Sequence, residues 1–200
     1  MKMYRYLSDN KIKNYNQQNG LVENWIFGLT NANLGSDKKI IAGLERTGLS
    51  VLEGNIWKTI ALKSGIGIHN LLETTVLNNE VSLLGVAGGN GKVFCLINGE
   101  FLDYTEILGL EGKSVFFLTE TKDSKGKKSL WAGTNKGLVR FRDGKRELFD
   151  NTSGLPNDSI LSVLETTDLK GKDVVWIGTT DGAAKCYLSD LEKGKPNWQI

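Results

Sequence analysis

Between residues 154 and 200 apolar and polar positions alternate in short blocks. Gly154-Leu155-Pro156-Asn157 has the composition of a turn. Residues 159–166 (Ser-Ile-Leu-Ser-Val-Leu-Glu-Thr) form a short apolar run, and Asp168-Leu169-Lys170-Gly171-Lys172 a polar hairpin. Residues 174–179 are β-branched and aromatic, Thr180-Asp181-Gly182 turns the chain, and 183–188 is apolar again. The segment ending Trp198-Gln199-Ile200 opens a fourth run. Runs this short between turn signals predict strands rather than helices.

The block recurs. Trp176-Ile177-Gly178-Thr179-Thr180-Asp181-Gly182 is preceded by Trp131-Ala132-Gly133-Thr134-Asn135-Lys136-Gly137, Val86-Ala87-Gly88-Gly89-Asn90-Gly91 and Ile41-Ala42-Gly43-Leu44-Glu45-Arg46-Thr47-Gly48. The first glycines, at 43, 88, 133 and 178, are 45 residues apart. Entry turns at Gly20-Leu21, Gly65-Ile66, Gly109-Leu110 and Gly154-Leu155 keep step, as do hairpins at Glu53-Gly54, Asn98-Gly99 and Asp143-Gly144. Asp9-Asn10 falls where the next hairpin upstream would lie. In the last unit Ser189 replaces the hairpin glycine, which predicts an enlarged turn through Pro196.

Such a period marks a repeat whose units bury their faces against their neighbours. Four short antiparallel strands per unit predict an all-β fold of β-propeller blades. No unit holds the two long amphipathic stretches of a helical repeat, or a leucine ladder. The expected blades are 20–62, 65–106, 109–150 and 154–200, with 1–16 as the last two strands of a preceding one. That makes about four and a half blades in a single propeller region, 1–200. Hairpin glycines supply positive φ, and the glycine inside each second strand admits a close neighbour. Trp131 and Trp176 are expected to pack between blades, Trp57 in core or rim, and Trp25 towards the channel side of an inner strand. Cys95 and Cys186 share one apolar repeat position with Leu52 and Phe141, so both read as core thiols. Open blade faces and strand edges predict self-association.

Composition narrows the function classes. With 25 basic and 23 acidic residues the net charge is +2, too balanced for a nucleic-acid surface. The basic run 122–128 reads as a solvated hairpin. No apolar run approaches the ~18–20 residues of a membrane span, and residues 1–6 lack the apolar core of a secretory signal. One histidine, His69, leaves no Ser-His-Asp or Cys-His set. Asp158 and Asp181 alone are too few to hold a metal. The expectation is therefore no catalytic residue, metal or cofactor.

Propellers bind on the face carrying the blade-entry loops and the loops between second and third strands. Entry positions are Glu23, Asn24, His69, Asn70, Lys113, Ser114, Asn157 and Asp158; the second set is Glu45, Arg46, Asn90, Asn135, Lys136, Thr180 and Asp181. Trp25, Arg46, His69, Asn90, Asn135, Lys136 and Asp181 are the ligand-contact candidates, a mixed polar rim with one stacking ring. It suits a hydroxyl-rich small molecule such as a carbohydrate. His69 is expected in a turn, level with Asn24, Lys113 and Asp158.

The segments Trp131-Ala-Gly-Thr-Asn-Lys-Gly-Leu138, Trp176-Ile-Gly-Thr-Thr-Asp-Gly182 and Gly154-Leu-Pro-Asn-Asp-Ser-Ile160 resemble the two-component regulator propeller repeat. The resemblance is good from about residue 109 onward. In the first two units Ile41 and Val86 replace the tryptophan, and Leu44 and Gly89 break the Gly-Thr pair. It implies part of a larger, seven-bladed type of ring: the ligand-sensing, periplasmic or extracellular portion of a bacterial signalling protein, non-catalytic, with output modules not seen in this chain. A protein-interaction scaffold is the alternative, and a propeller lyase resembling streptogramin lyase a third. WD and kelch repeats fit less well, since one histidine and a single Gly88-Gly89 pair serve all the units.

Overall fold

The structure is a computed structural model that describes residues 3–6, 12–34, 37–61, 66–77, 81–87, 91–97 and 100–200, with backbone alone at 3–6, 12 and 61. The Asp9-Asn10, Gly65, Gly88-Gly89-Asn90 and Asn98-Gly99 landmarks lie outside the described residues. Strands β1 (Met3–Tyr6) and β2 (Ile12–Tyr15) pair as an antiparallel hairpin. A four-stranded sheet follows from β3 (Ile26–Leu34), β4 (Asp37–Leu44), β5 (Gly48–Glu53) and β6 (Ile56–Ala61). The next holds β7 (Ile68–Thr74), β8 (Ser82–Ala87), β9 (Val93–Ile97) and β10 (Glu100–Asp103). A third holds β11 (Val115–Lys122), β12 (Lys128–Thr134), β13 (Gly137–Arg142) and β14 (Lys145–Phe149). The last holds β15 (Ile160–Thr167), β16 (Asp173–Thr179) and β17 (Gly182–Tyr187). In every sheet each strand is bonded to its neighbours in sequence, and no sheet closes on itself. These are propeller-type blades.

At the end of the chain, helix α1 (Leu188–Glu192) takes the place of a tight hairpin. Ser189 stands where the other units carry the hairpin glycine that supplies positive φ. Leu188 and Leu191, three apart, bury one side of a helical turn instead. Gln199 then returns to bridge Lys185, where a fourth strand would pair.

The chain forms two compact units, Met1–Glu73 with Val81–Leu108, and Thr74–Glu80 with Gly109–Ile200. In the first, Tyr15 and Leu21 pack with Ile26, Ala42, Leu44, Leu52 and Trp57 beneath the β1–β2 hairpin. Tyr15 meets Trp57 edge-on, with ring centroids 6.0 Å apart. A second cluster joins Ile41, Leu49 and Val51 to Ile68, Leu71 and Leu83 of the following sheet. In the second unit, Trp131, Leu138 and Phe149 pack on Leu155, Ile160, Val175 and Ile177. Each core lies between successive sheets. Cys95 and Cys186 are buried free thiols, and burial raises the pKa of both.

The repeat motif has a local mechanism. The Thr134 hydroxyl donates to the Gly137 carbonyl at 2.6 Å and accepts from the Lys136 amide at 3.0 Å. Thr179 does the same with Gly182 and Asp181 at 2.8 and 3.1 Å. Gly137 and Gly182 sit at φ +97° and +99°, the left-handed region that favours glycine, and the threonine hydroxyl braces the turn they close. The glycine inside the strand has a separate role. At Gly133 a Cβ would strike the Phe117 ring, and at Gly43 the Ile68 carbonyl of the next sheet. Two entry turns are capped 3₁₀ turns, Gln17–Asn19 and Asn151–Ser153. Asn16 and Asp150 cap them, and Gly20 and Gly154 end them in the left-handed region.

The two repeat tryptophans differ. Trp131 is 0% exposed, but Trp176 is 42% exposed, contrary to the expectation that both pack between blades. Sheet β15–β17 covers Trp131, and no described sheet covers Trp176. In urea denaturation, Trp131→Ala should lose about 3–5 kcal/mol, and Trp176→Ala under about 1 kcal/mol. Thr134 is fully buried, so Thr134→Val should cost about 1–3 kcal/mol by leaving the Gly137 carbonyl unpaired.

Candidate functional site

Residues at the start of the inner strands read as consecutive apolar side chains: Trp25-Ile26-Phe27, Val115-Phe116-Phe117, Ile160-Leu161. In a flat strand, neighbours point to opposite faces. The structure resolves this with an irregularity in the same place each time. Register shifts between Ile26 and Gly28, between Val115 and Phe117, and between Ile160 and Ser162. The bulged residues are Phe27, Phe116 and Leu161, and a bulge re-aims the side chain it carries. Ile26, Val115 and Ile160 stay buried, whereas Phe27, Phe116 and Leu161 are 50%, 44% and 56% exposed.

In the first unit this produces a cluster of rings. Trp25 and Leu29 flank Phe27, both more than half exposed. Trp25 is tilted against Phe27 at 6.4 Å, and Phe27 stacks on His69 with centroids 4.1 Å apart and planes 22° from parallel. Gly28 lies close against the backbone of β7 beside the stack. A Cβ there would lie 3.2 Å from the His69 carbonyl, so only glycine lets β3 and β7 come this close without a shift.

Beside the rings, Glu23 ties two loops together. Its carboxylate accepts from the Arg46 amide, the Thr47 amide and the Thr47 hydroxyl at 3.0, 3.1 and 2.7 Å. The Trp25 carbonyl accepts from the Glu45 amide at 3.2 Å. The Arg46 guanidinium is exposed, 3.6 Å from Glu45. Hydrophobic ring faces, a cation and carboxylates thus share one end of a blade, a combination suited to a polar ligand with an apolar face.

The predicted site residues separate accordingly. Trp25 and His69 come together through Phe27, and Arg46 belongs to the same unit. His69 is not in an entry turn as expected; it is the second residue of β7, level with Phe27, Phe116 and Leu161. Ile68 follows Gly54 by 14 residues, where Ile160 follows Gly144 by 16, so the entry segment is short and pulls His69 into the strand. Asn135 and Lys136 (β12–β13 turn) and Asp181 (β16–β17 turn) lie in the second unit. The Asn135 side chain accepts from the Ser114 amide at 2.8 Å, and the Lys136 and Asp181 amides donate to their turn threonines. Asn90 lies outside the described residues. Sequence reasoning missed Phe27, Leu29, Phe116 and Leu161. The available signal was the pair of adjacent apolar residues opening each inner strand.

A second polar cluster lies in the second unit, at a cleft of about 660 Å³ between hairpins 123–127 and 168–172 and helix α1. Buried Arg142 pairs there with Asp123, donates to Ser129 Oγ at 2.9 Å and meets Glu192 at 3.1 Å. Burial raises the Asp123 carboxyl, but Arg142 and the Lys127 and Lys125 amides outweigh it and hold the pKa below 3.8. Glu165 lies 3.9 Å from Arg142 and accepts from Thr121 at 2.5 Å. Its burial outweighs these partners and raises the pKa above 4.5. The Arg142 guanidinium is shared among carboxylates, and through Glu165 and Glu192 it ties the β11–β14 sheet to the β15–β17 sheet and helix α1. Among the described residues, no group of three or more His, Cys, Asp or Glu is placed to hold a metal.

The two carboxylates act oppositely on stability. Asp123, lowered, stabilises above its unfolded pKa, and that contribution is lost as pH falls through the folded value. Glu165, raised, stabilises below about 4.5 and loses that contribution as pH rises through its folded value. Glu165→Gln, which mimics the protonated form, should therefore gain on the wild type in unfolding free energy as pH rises from 4 to 7. A constant difference across that range would show that Glu165 titrates alike in both states.

The sequence matches no family model and no curated protein. Solved structures of similar fold exist. The extracellular domain of a protein assigned as a hybrid two-component system, BT4673 from B. thetaiotaomicron, is 21% identical with a TM-score of 0.63 over 92% of this chain and 24% of that one. A second structure of the BT4673 extracellular domain, described as a one-component system, is 20% identical with a TM-score of 0.64 over 92% and 25%. PorZ, a surface component of the type-IX secretion system of Porphyromonas gingivalis, is 14% identical with a TM-score of 0.59 over 96% and 30%. The chain thus spans 24–30% of the length of these structures. No described helix is long and apolar enough to cross a membrane. At these identities the likeness is one of fold.

Proposed function

We propose that this chain is part of the ligand-sensing, extracellular or periplasmic portion of a bacterial signalling protein, and that it performs no catalysis. The observation that carries the reading is the Trp25–Phe27–His69 ring set beside the Glu23-tied loops, in which exposed Trp25 and Phe27 lie against a half-buried His69. Exposed rings held by a bulge and a glycine contact are costly as mere surface. They make a platform on which the C–H face of a sugar ring can lie, with Arg46 and Asn24 within the same loop cluster for its hydroxyls. The similarity of fold to an extracellular domain assigned to a two-component system supports the sensor role. His69 serves this platform as a stacking ring, with its imidazole packed on Phe27 and no acid or nucleophile in a catalytic arrangement beside it among the described contacts.

The test is thermal unfolding of the whole chain against a panel of soluble oligosaccharides. A binder at 100 times its dissociation constant should stabilise by about 2.7 kcal/mol. Trp25→Ala should abolish that gain and leave the unliganded midpoint within a degree or two, because the ring is exposed. No stabilisation by any oligosaccharide, or a gain that survives Trp25→Ala, would overturn the reading. Turnover of a panel member that is lost in His69→Ala would replace it with an enzyme.

A further inference from the structure

Strands β13 and β14 set a row of charges on one face of their sheet. Arg140 and Arg142 alternate along β13, directly across from Glu147 and Lys145 of β14, so the four side chains share a face. Arg140 meets an opposite charge there, its Nε donating to Glu147 at 2.7 Å. Arg142 faces Lys145, and like charges directly opposite one another destabilise a strand pair. A negative group placed between them relieves that cost.

Both arginines are buried, at 2% and 4% exposure. Each still has a nitrogen with no hydrogen-bond partner, Nη1 of Arg140 and Nε of Arg142. An unpaired buried donor is costly, and more so on a charged group. The two side chains line a hollow of about 290 Å³, together with Lys127, Lys145, Glu147 and Glu192. Lys127 pairs with Asp143 of the β13–β14 turn.

Glu192 is the movable part. It reaches Arg142 at 3.1 Å, yet its side chain is 46% exposed. It is the last residue of α1, the helix that replaces a tight hairpin in this unit, and buried Leu188 and Leu191 anchor that helix without it. Glu192, Arg142 and Lys127 also line the 660 Å³ cleft described above, so this carboxylate borders both hollows.

We propose that the smaller hollow binds a tetrahedral oxyanion, phosphate or sulfate, which takes the place of Glu192 on Arg142. The unpaired nitrogens of Arg140 and Arg142 donate to it, and Lys145 and Lys127 approach it from the rim. With Glu192 in place, the four cations are balanced by Asp123, Asp143, Glu147 and Glu192. With Glu192 turned to solvent, they exceed the remaining three carboxylates by one charge. The oxyanion compensates Arg142 as Glu192 leaves, so no buried charge is stranded. Donors come from two strands and a hairpin rather than from one plane, which suits a tetrahedral anion better than a planar carboxylate. The proposal uses residues separate from the ring platform and does not depend on it.

The experiment follows the arginine side-chain N–H resonances of the whole chain by NMR while chloride is exchanged for the probe at fixed ionic strength. The probes are inorganic phosphate, inorganic sulfate, glucose 6-phosphate and glucose 6-sulfate, with glucose as the uncharged control. Arg142 and Arg140 should shift saturably with the oxyanions and not with glucose. Tighter binding of the esters assigns the oxyanion to a larger molecule whose body enters the 660 Å³ cleft; tighter binding of the free ions assigns it to the inorganic anion. Either result upholds the site. Glu192→Gln, which removes the competing carboxylate, should tighten binding at least threefold. Lys145→Gln, at an exposed position, should weaken it at least threefold and keep the thermal midpoint. Lys136→Gln, at the other end of β13, and Trp25→Ala should leave the titration unchanged. Absence of a saturable shift would overturn the proposal. So would an affinity unchanged or weakened in Glu192→Gln, one unchanged in Lys145→Gln, or one lost in Trp25→Ala, which would move the anion to the ring platform.

Discussion

A four-stranded sheet of about 45 residues cannot hide both of its faces from water by itself, and this constraint organises the whole chain. Each unit therefore carries an apolar side chain midway along its second strand, and stability comes from the sheet that lies over it. Trp131 shows the arrangement complete: its indole is enclosed by Ile160, Val175 and Ile177, its N–H is held by Thr121 at 2.7 Å, and Arg140 caps the ring. The same sheet-on-sheet contact recurs in the first unit, where Ile41 and Leu49 meet Ile68 and Leu71.

Turn chemistry keeps these faces in register. In the last two sheets a threonine hydroxyl bonds both sides of the turn that leads from the second to the third strand, and a glycine takes the left-handed conformation that closes it. In the β3–β6 sheet Leu44 stands where the threonine would be and is fully buried, so the position serves the core instead. Gly48 still adopts φ +92°, which shows that the glycine requirement outlasts the threonine one. The bulge at the head of the inner strands is the counterpart of this regularity. It lets one of two adjacent apolar residues stay in the core and sends the other outward. The ring platform is thus a by-product of the same repeat that makes the core.

Polar groups are confined to places where they find partners. Arg142, buried with Asp123 and Ser129 of its own sheet, reaches Glu192 of helix α1 after the last sheet. A buried cluster of this kind adds little net stability against apolar packing, but breaking it leaves an uncompensated charge. It therefore holds helix α1 against the β11–β14 sheet. Glu165 lies beside this ion pair, 3.9 Å from Arg142, and its burial raises its pKa.

Much of the fold was legible in the sequence because strand repeats are local. Glycines 45 residues apart, hairpin dipeptides and short β-branched runs each encode a turn or strand within a few residues, and the four-strand sheets and the core position of Cys95 and Cys186 followed from them. The candidate site was only partly legible. Trp25 and Arg46 were found because they fall at loop positions, but Phe27 was not, since its exposure depends on a bulge that no residue type announces. His69 was placed in a turn because the repeat was assumed to be of constant length, and an entry segment two residues short drew it into β7. Trp131 and Trp176 have the same local sequence and opposite environments. Their chemistry was set by the chain, but whether each is buried depends on the presence of a covering sheet, a contact between distant segments that only the tertiary structure decides.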